Sequence, residues 1–328
     1  MKQQGFTLVE MMVALFIGGL VLAGVMFTYI SMKVTTRDTI TIGELQETGR
    51  LALNIMQRDI EQIGFWGTFY EDSFSKENTK SLANPAPDCF GGLNNGSFPA
   101  ANTNSNFRSV YAIASAGGSE LNCITDSQKN TDILQIKFLE GIQINPLDTS
   151  NNNYYFIAEQ EHAEFSRGPI EPANINGNAT VWRYSHHVYY IDEQTFKIND
   201  RNIKVPVLMR RRLTPNSGMH AETIMEGVEN MRFLFGLDTN NDSRVDTYRS
   251  VAKMTATDWE NQRGILTVQV FILVRALQED AGLKQLNQTY TLGEDAEQRV
   301  LKFDDKYRRA LFTTTIRLNN VGANLWRI

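Results

Sequence analysis

The most distinctive pattern in the chain is an uncharged apolar run near its start. Residues 11–32 contain no Asp, Glu, Lys, Arg or His, and they follow directly after Glu10. Read as a helix that rises about 1.5 Å per residue, this run is long enough to cross the ~30 Å hydrocarbon core of a bilayer. The pattern therefore predicts a membrane-spanning helix.

A helical pattern continues beyond the run. Apolar and small residues recur there at intervals of three, four or seven, and the charged residues fall largely between them, which predicts an amphipathic helix that ends near residues 64–67. Uninterrupted over residues 6–63, the helix would be about 85 Å long; the alternative is two helices joined near residues 33–41. The recurring positions are Ile42, Leu45, Gly49, Ala52, Met56 and Ile63.

Strand patterns dominate the second half of the chain. Residues 70–130 are rich in Ser, Asn, Gly and Pro, which predicts an elaborated surface region or, alternatively, a disordered linker. Beyond them, β-branched and alternating segments predict an α+β fold, in which the long N-terminal helix packs on an antiparallel β-sheet. The predicted strands are residues 133–139, 154–158, 180–191, 204–213, 229–237, 265–276 and 311–318.

The composition limits the classes of function that the chain can have. The 328 residues are 42% hydrophobic, enough for a real core, and the net charge of −5 gives no global basic surface for nucleic acid. Arg210–Arg212 form one short basic cluster, which touches DNA phosphates or an acidic neighbour, or else ends a strand in solvent. The chain has no GxSxG, P-loop, HExxH or GxGxxG motif, so we expect no enzymatic activity.

The segment Gly5-Phe6-Thr7-Leu8-Val9-Glu10, followed by the apolar run, resembles the class III signal of type IV prepilins and pseudopilins. The resemblance implies that a membrane prepilin peptidase cuts after Gly5 and methylates the amine of Phe6. It also implies that Glu10 pairs with the terminal amine of a subunit in the growing filament. An intramembrane carboxylate is costly unless it is paired, which agrees with that role; the alternative is a side chain that only reaches to the interface.

Two further segments, residues 45–53 and 309–318, are similar to PilW-type minor pilins. The resemblance implies a non-enzymatic pilus component, with its anchor in the bacterial inner membrane and its globular domain in the periplasm, then at the pilus or cell surface. Its implied partners are other minor pilins, the major pilin, the prepilin peptidase and the inner-membrane assembly platform. The J-type minor pseudopilins of type II secretion are an alternative of the same plan, and a signal-anchored periplasmic hydrolase is one of another class.

The resemblance also suggests a division of the chain into five segments. Residues 1–5 are the leader, residues 6–32 the membrane or filament-core half of the helix, and residues 33–63 its amphipathic half. Residues 64–130 are the elaborated loop region and residues 131–328 the sheet domain. In pilins, the segment between the helix and the sheet is the variable part that faces partners.

The chain has two cysteines, Cys89 and Cys123. If the domain is translocated, as the resemblance implies, an oxidising compartment favours a disulfide between them, worth roughly 3–4 kcal/mol on the chain-entropy model. Two buried thiols are the alternative. A zinc site is disfavoured because neither cysteine has a CxxC or histidine partner.

One loop has the spacing of a calcium site. Oxygen-bearing side chains stand at relative positions 1, 3, 5 and 9, as in EF-hand loops, and position 7 would use its backbone carbonyl. Ser243 replaces the usual glycine and Arg249 the usual glutamate, so we expect weak Ca²⁺ binding, about 10⁻⁴ to 10⁻³ M. The alternative is a simple Asn/Asp-rich hairpin turn. The proposed ligands are Asp238, Asn240, Asp242, Arg244 and Asp246.

Overall fold

The computed structural model describes residues 5, 7–71, 73–91, 96–100, 107–198, 201–261, 264–280, 282–283 and 287–321. Helix α1 spans Leu8–Ile60 without interruption, about 80 Å at the usual helical rise. The single-helix prediction is confirmed, and the alternative of two helices joined near residues 33–41 is wrong. Gly43 and Gly49 lie inside the helix without breaking it.

The remainder of the described chain is built mainly of strands, with one short second helix, α2, at Ala256–Glu260. All seven predicted strands are present. The strands are β1 Thr79–Lys80, β2 Val110–Ala114, β3 Gly118–Glu120, β4 Ile124–Ser127, β5 Asp132–Ile144, β6 Tyr154–Ala158, β7 Ala163–Arg167, β8 Thr180–Ile198, β9 Arg201–Thr214, β10 Gly218–Glu226, β11 Val228–Leu237, β12 Thr247–Ser250, β13 Ile265–Arg275, β14 Asn287–Leu292, β15 Arg299–Asp304 and β16 Arg309–Arg317.

The strands form two larger sheets instead of the single sheet predicted. The first has eight strands, in the order β1-β7-β6-β8-β5-β2, with β9 and β10 added beyond β8. The second has four, in the order β12-β11-β13-β16. Pairing within them is antiparallel except between β1 and β7. Two small hairpins, β3–β4 and β14–β15, complete the described strands.

The C-terminal half of α1 packs against the domain through a seam of apolar and small residues. The buried positions are Leu45, Gly49, Ala52, Met56 and Ile60, spaced by three or four residues as one helix face requires. This face rests on β13 and β16 and also reaches β5 and β10. The helix therefore joins the two larger sheets into one core.

Gly49 is a point of close approach in this seam. A Cβ atom built on Gly49 would lie 2.3 Å from two ring carbons of Phe312 on β16. Such a distance lies far inside van der Waals contact, so no residue larger than glycine fits unless the ring moves. Gly43, one and a half turns earlier, has nothing within 4 Å of the same position.

This difference predicts opposite effects for the same substitution at two positions. Gly49→Ala should lower the free energy of unfolding by about 1–3 kcal/mol, because the ring of Phe312 must leave its place. Gly43→Ala should raise it by up to about 1 kcal/mol, since alanine is the better helix former and meets no neighbour. Denaturant unfolding of the detergent-solubilised chain measures both. Equal effects at the two positions would contradict this packing.

Candidate functional site

The start of α1 is organised by Thr7 and Glu10. The Thr7 N–H donates to Glu10 Oε2 at 2.8 Å, the Thr7 hydroxyl to the same oxygen at 2.9 Å, and the Glu10 N–H to Thr7 Oγ1 at 3.3 Å. These reciprocal bonds form a capping box, which satisfies otherwise unpaired N–H groups at a helix start. The T-x-x-E spacing of residues 7–10 is the sequence signal of this capping box.

The capping box uses only one of the two carboxylate oxygens of Glu10. Within the described residues, Oε1 makes no hydrogen bond, so it is available to a donor from outside the chain. Glu10 and Gly5 are both exposed. Phe6, the predicted methylation position, lies outside the described residues.

The first half of α1 presents apolar side chains on all its faces. Between Leu8 and Met32, every large hydrophobic side chain is 51–76% exposed. Among the described residues, α1 is the one helix long and apolar enough to cross a membrane. An apolar surface of this extent requires lipid or other protein to cover it.

An ionic cluster ties α1 to the domain just beyond this apolar half. Arg37 pairs with the buried carboxylate of Asp280, and Arg308 bonds the same carboxylate through Nε at 2.5 Å. Arg308 also reaches Asp38 at 3.0 Å. The helix is therefore held by charge at its middle and by apolar packing further on.

A second polar contact fixes the C-terminal end of α1. One oxygen of Asp59 lies 2.5 Å from His187 Nδ1 and 2.5 Å from the Tyr189 hydroxyl, with Arg210 at 3.7 Å. Burial raises the pKa of Asp59, but the hydrogen bonds and charges of these neighbours lower it by more, so the net direction is downward. Asp59 is therefore ionised where α1 meets the domain, and its charge is stabilised by the three neighbours named above.

The three arginines of the basic cluster, residues 210–212, all have partners within the domain. Arg210 bonds Glu222 at 2.7 Å, Arg211 donates to the Met219 carbonyl at 3.0 Å, and Arg212 lies 3.5 Å from Glu222. All three arginines are engaged within the domain. The structure therefore adds no support for binding of DNA phosphates by this cluster.

The loop region is attached to the core by a disulfide and a buried polar cluster. Cys89 and Cys123 are joined, with their Cα atoms 4.9 Å apart, so the disulfide prediction is confirmed and the alternative of two thiols is wrong. Beside it, Asp88 accepts from the N–H groups of Cys89 and Ser97, each at 2.8 Å. The Tyr184 hydroxyl on β8 donates to the Ser97 carbonyl, which connects Ser97 to the eight-stranded sheet.

Ser97, His186 and Asp88 resemble a hydrolytic triad in composition but not in geometry. The Ser97 hydroxyl bonds Asp88 at 2.5 Å and lies 2.8 Å from His186 Nδ1. The Gln135 amide nitrogen donates to the Cys89 carbonyl and reaches His186 Nε2 at 2.6 Å, so Nε2 accepts and Nδ1 carries the proton. Burial lowers the pKa of His186 well below its ordinary value.

This arrangement excludes a base role for His186. Its Nδ1 proton points at Ser97, which in turn donates to the carboxylate, whereas a triad requires the imidazole to accept from the serine. Ser97 and His186 are completely buried. The cluster is therefore a structural network. His187, the next residue, bonds Asp59 on the other side of the sheet, as expected for adjacent residues of a strand.

The Asp238–Asp246 loop is closed by its own side chains. Asp238 accepts from the N–H groups of Asn240 and Asp242 at 3.2 Å and of Ser243 at 2.7 Å. Asp246 accepts from the Thr239 hydroxyl and N–H, both at 2.7 Å, and these bonds lower the pKa of Asp246. Ser243 adopts φ +64°, the left-handed conformation for which glycine is usual at this position.

The side chains of this loop supply carboxylate and amide oxygens, which are the types of ligand that a hard cation such as Ca²⁺ prefers. In the described chain, no group of three or more His, Cys, Asp or Glu side chains is close enough to hold a metal, so the three loop aspartates alone do not form such a group. Arg244 donates its N–H to Asp242 at 2.9 Å. Calcium binding stays a prediction.

Titration calorimetry of the detergent-solubilised chain with Ca²⁺ tests whether the Asp238–Asp246 loop binds calcium. We expect heat with a midpoint of about 10⁻⁴ to 10⁻³ M from the unchanged chain and none from Asp242→Ala, which loses a central ligand. Glu77→Gln, an exposed carboxylate far along the chain from the loop, is the control. Equal heats from the unchanged chain and Asp242→Ala would remove the site.

The Arg37–Asp280–Arg308 cluster predicts a pH-dependent contribution to stability. Burial raises the pKa of Asp280, but the Gly282 N–H, Arg308 and Arg37 outweigh it and leave the pKa below its ordinary value of 3.8. The stabilisation is therefore complete above pH 3.8 and is lost as the pH falls through the lower folded-state pKa.

Asp280→Asn should accordingly lower the free energy of unfolding by about 1–2 kcal/mol at neutral pH, since Arg37 is half exposed and screened. The difference from the unchanged chain should shrink below pH 4. Glu77→Gln, which removes an exposed pair 3.8 Å long, should change little at any pH. Denaturant unfolding at pH 3 to 8 measures all three proteins. A difference that stays constant down to pH 3 would argue against an ionised Asp280.

Comparison with known proteins gives two matches. The family model for type IV pilus-assembly protein W, PilW, matches residues 188–320, from within β8 to beyond β16. The model for the prokaryotic N-terminal methylation motif matches residues 1–26, the start of the chain and of α1. No curated protein and no solved structure matches the chain. The two family matches, one at the start of the chain and one from within β8 to beyond β16, make the chain similar to type IV pilins of the PilW type.

Proposed function

We propose that this chain is a non-enzymatic minor pilin that primes assembly of a type IV pilus or sits at its tip. The observation that carries the proposal is α1 itself: its first half has an apolar surface that nothing in the described chain covers, and its second half is built into the domain core. A helix of this kind joins a folded domain to a membrane and then to the helices of other subunits.

The proposed sequence of events starts in the inner membrane. A prepilin peptidase cleaves after Gly5 and methylates Phe6, the domain lies in the periplasm, and the assembly platform moves the subunit into a filament. There Glu10 Oε1 accepts from the terminal amine of a neighbouring subunit, while Oε2 keeps its bonds to Thr7. A carboxylate in an apolar filament core is stabilised only by such a partner.

The match to the pilus-assembly family favours a pilus over a type II secretion filament. Deletion of the gene separates the two: loss of twitching or DNA uptake supports the pilus, and loss of exoprotein export supports secretion.

Mass spectrometry of the mature chain should show methylated Phe6 as its first residue. A chain that keeps residues 1–5, or begins elsewhere, would contradict the proposal.

Glu10→Gln tests the assembly role apart from the helix cap. Glutamine can keep the capping box through its oxygen, so the helix start is preserved, and the charge and the second acceptor oxygen are lost. We expect the variant to accumulate in the membrane at normal levels but to reduce pilus number at least about tenfold, the effect of losing some 1.4 kcal/mol of pairing. Electron microscopy of whole cells gives the count.

Thr7→Ala is the matched control, because it removes the cap and keeps the carboxylate. It should cost about 1 kcal/mol of helix stability and leave pilus number close to normal. If Thr7→Ala reduces pili as strongly as Glu10→Gln, the carboxylate acts through the cap and not through a neighbouring subunit.

A further inference from the structure

Among the described strands, β16 pairs only with β13, so it is an edge of the four-stranded sheet. Its register with β13 runs unbroken from Arg309↔Arg275 to Arg317↔Thr267. Between the terminal arginines, residues 310–316 have no charge, no proline and no glycine. This is a long, regular and uncharged edge.

The direction of its backbone groups follows from two bonds that flank the strand. The Leu318 N–H donates to the Leu266 carbonyl, and the Ala276 N–H to the Arg308 carbonyl, both at 2.8 Å. Because bonded and non-bonded pairs alternate in an antiparallel ladder, the even-numbered residues of β16 bond to β13. The odd-numbered residues point their N–H and C=O groups towards the open edge.

Nothing in the described chain pairs with most of these groups. The Arg309 carbonyl accepts from the Tyr290 hydroxyl at 3.3 Å. The backbone groups of Leu311, Thr313, Thr315 and Arg317 have no backbone partner on that side among the described residues. The side chains of these four residues are also exposed. A row of free donors and acceptors with β-branched side chains is a template for a further strand.

The strands at the other ends of the two larger sheets are protected. β1 has two residues and β12 has four. β10 has a register shift between Thr223 and Met225 and carries Glu222 and Glu226. β2 is covered by residues 251–253 and by Trp259, whose ring lies 5.3 Å from that of Tyr111. Short length, irregular register, charged residues and covering segments usually protect an edge strand from pairing with another chain. In the described chain, the middle of β16 has none of these features.

We propose that β16 is a docking edge on which an extended segment of a different pilin subunit pairs as a fifth strand. The proposal rests on the pilin function proposed above for its choice of partner. The segment should be uncharged over five to seven residues, to match residues 310–316, and should carry an Asp or Glu near Arg317, which is exposed and has no ion pair among the described residues. A second copy of β16 lacks any acidic residue to supply that carboxylate.

Site-specific photo-crosslinking in piliated cells tests the docking edge. A benzophenone side chain at position 315 should crosslink to neighbouring residues of one extended segment in another protein that bears the prepilin N-terminal motif, as read by mass spectrometry. The same group at Thr257, exposed on α2 and not part of any strand, should give no such product. A crosslink from position 315 to residues 322–328 of the same chain, to a second copy of β16, or to no protein would overturn the proposal.

Thr313→Pro blocks pairing with little disturbance of the domain, because the N–H that it removes points outward and not towards β13. It should reduce the position-315 crosslink about tenfold, whereas Thr313→Val, which keeps the donor, should not. Arg317→Glu is a second test that does not depend on a proline being tolerated, and it should also weaken the crosslink. Unchanged yields in Thr313→Pro and Arg317→Glu would overturn the proposal.

The two proposals fail separately. If the edge variants crosslink and assemble normally while Glu10→Gln still loses pili, the pilin function stands and the docking edge does not. If Glu10→Gln and deletion of the gene both leave pili and twitching intact, the proposed function fails whatever partner is found at β16.

Discussion

The structure depends on the close approach of one helix to one sheet. In the described chain, the buried residues of helix α1 all lie in its second half, so that half must supply enough packing to hold a helix of 53 residues. Gly49 makes this possible, because the ring of Phe312 occupies the space where a side chain would be. Leu45, Ala52, Met56 and Ile60 extend the same contact along the helix. Without this seam, the apolar half of α1 would have no fixed relation to the domain.

Charged groups refine the position that apolar packing sets. Asp280 holds the middle of the helix through Arg37, and Asp59 holds its end through His187 and Tyr189. A comparable network anchors β16, where the Arg309 guanidinium is fully buried, bonds Asp305 at 2.7 Å and Glu229 at 2.5 Å, and lies over the Phe303 ring. Buried ions of this kind contribute little net energy but tolerate few alternative arrangements. The strand that receives the helix is thus itself held in one place.

The sequence predicts the elements of this fold better than their assembly. The helix and the seven strands have strong periodic patterns, and the structure contains all of them. Strands such as 110–114, 218–226 and 287–292 were missed because they are short, charged or set among turn residues, and pairing with neighbours decides them. The division into two sheets was missed for the same reason. The cysteine pair could be predicted from compartment, whereas the Asp88–Ser97–His186 network joins residues 89 positions apart and has no local signal.

The continuity of α1 has a consequence for the orientation of its two ends. Because Asp59 fixes how the helix is rotated about its own axis against the domain, and each residue turns the helix by about 100°, the direction in which Glu10 points is determined by the number of residues between them. One residue inserted in that interval would leave both ends folded but turn Glu10 by about 100°, whereas seven inserted residues would nearly restore its direction. The number of residues in α1 therefore sets the direction in which Glu10 points as well as its distance from the domain.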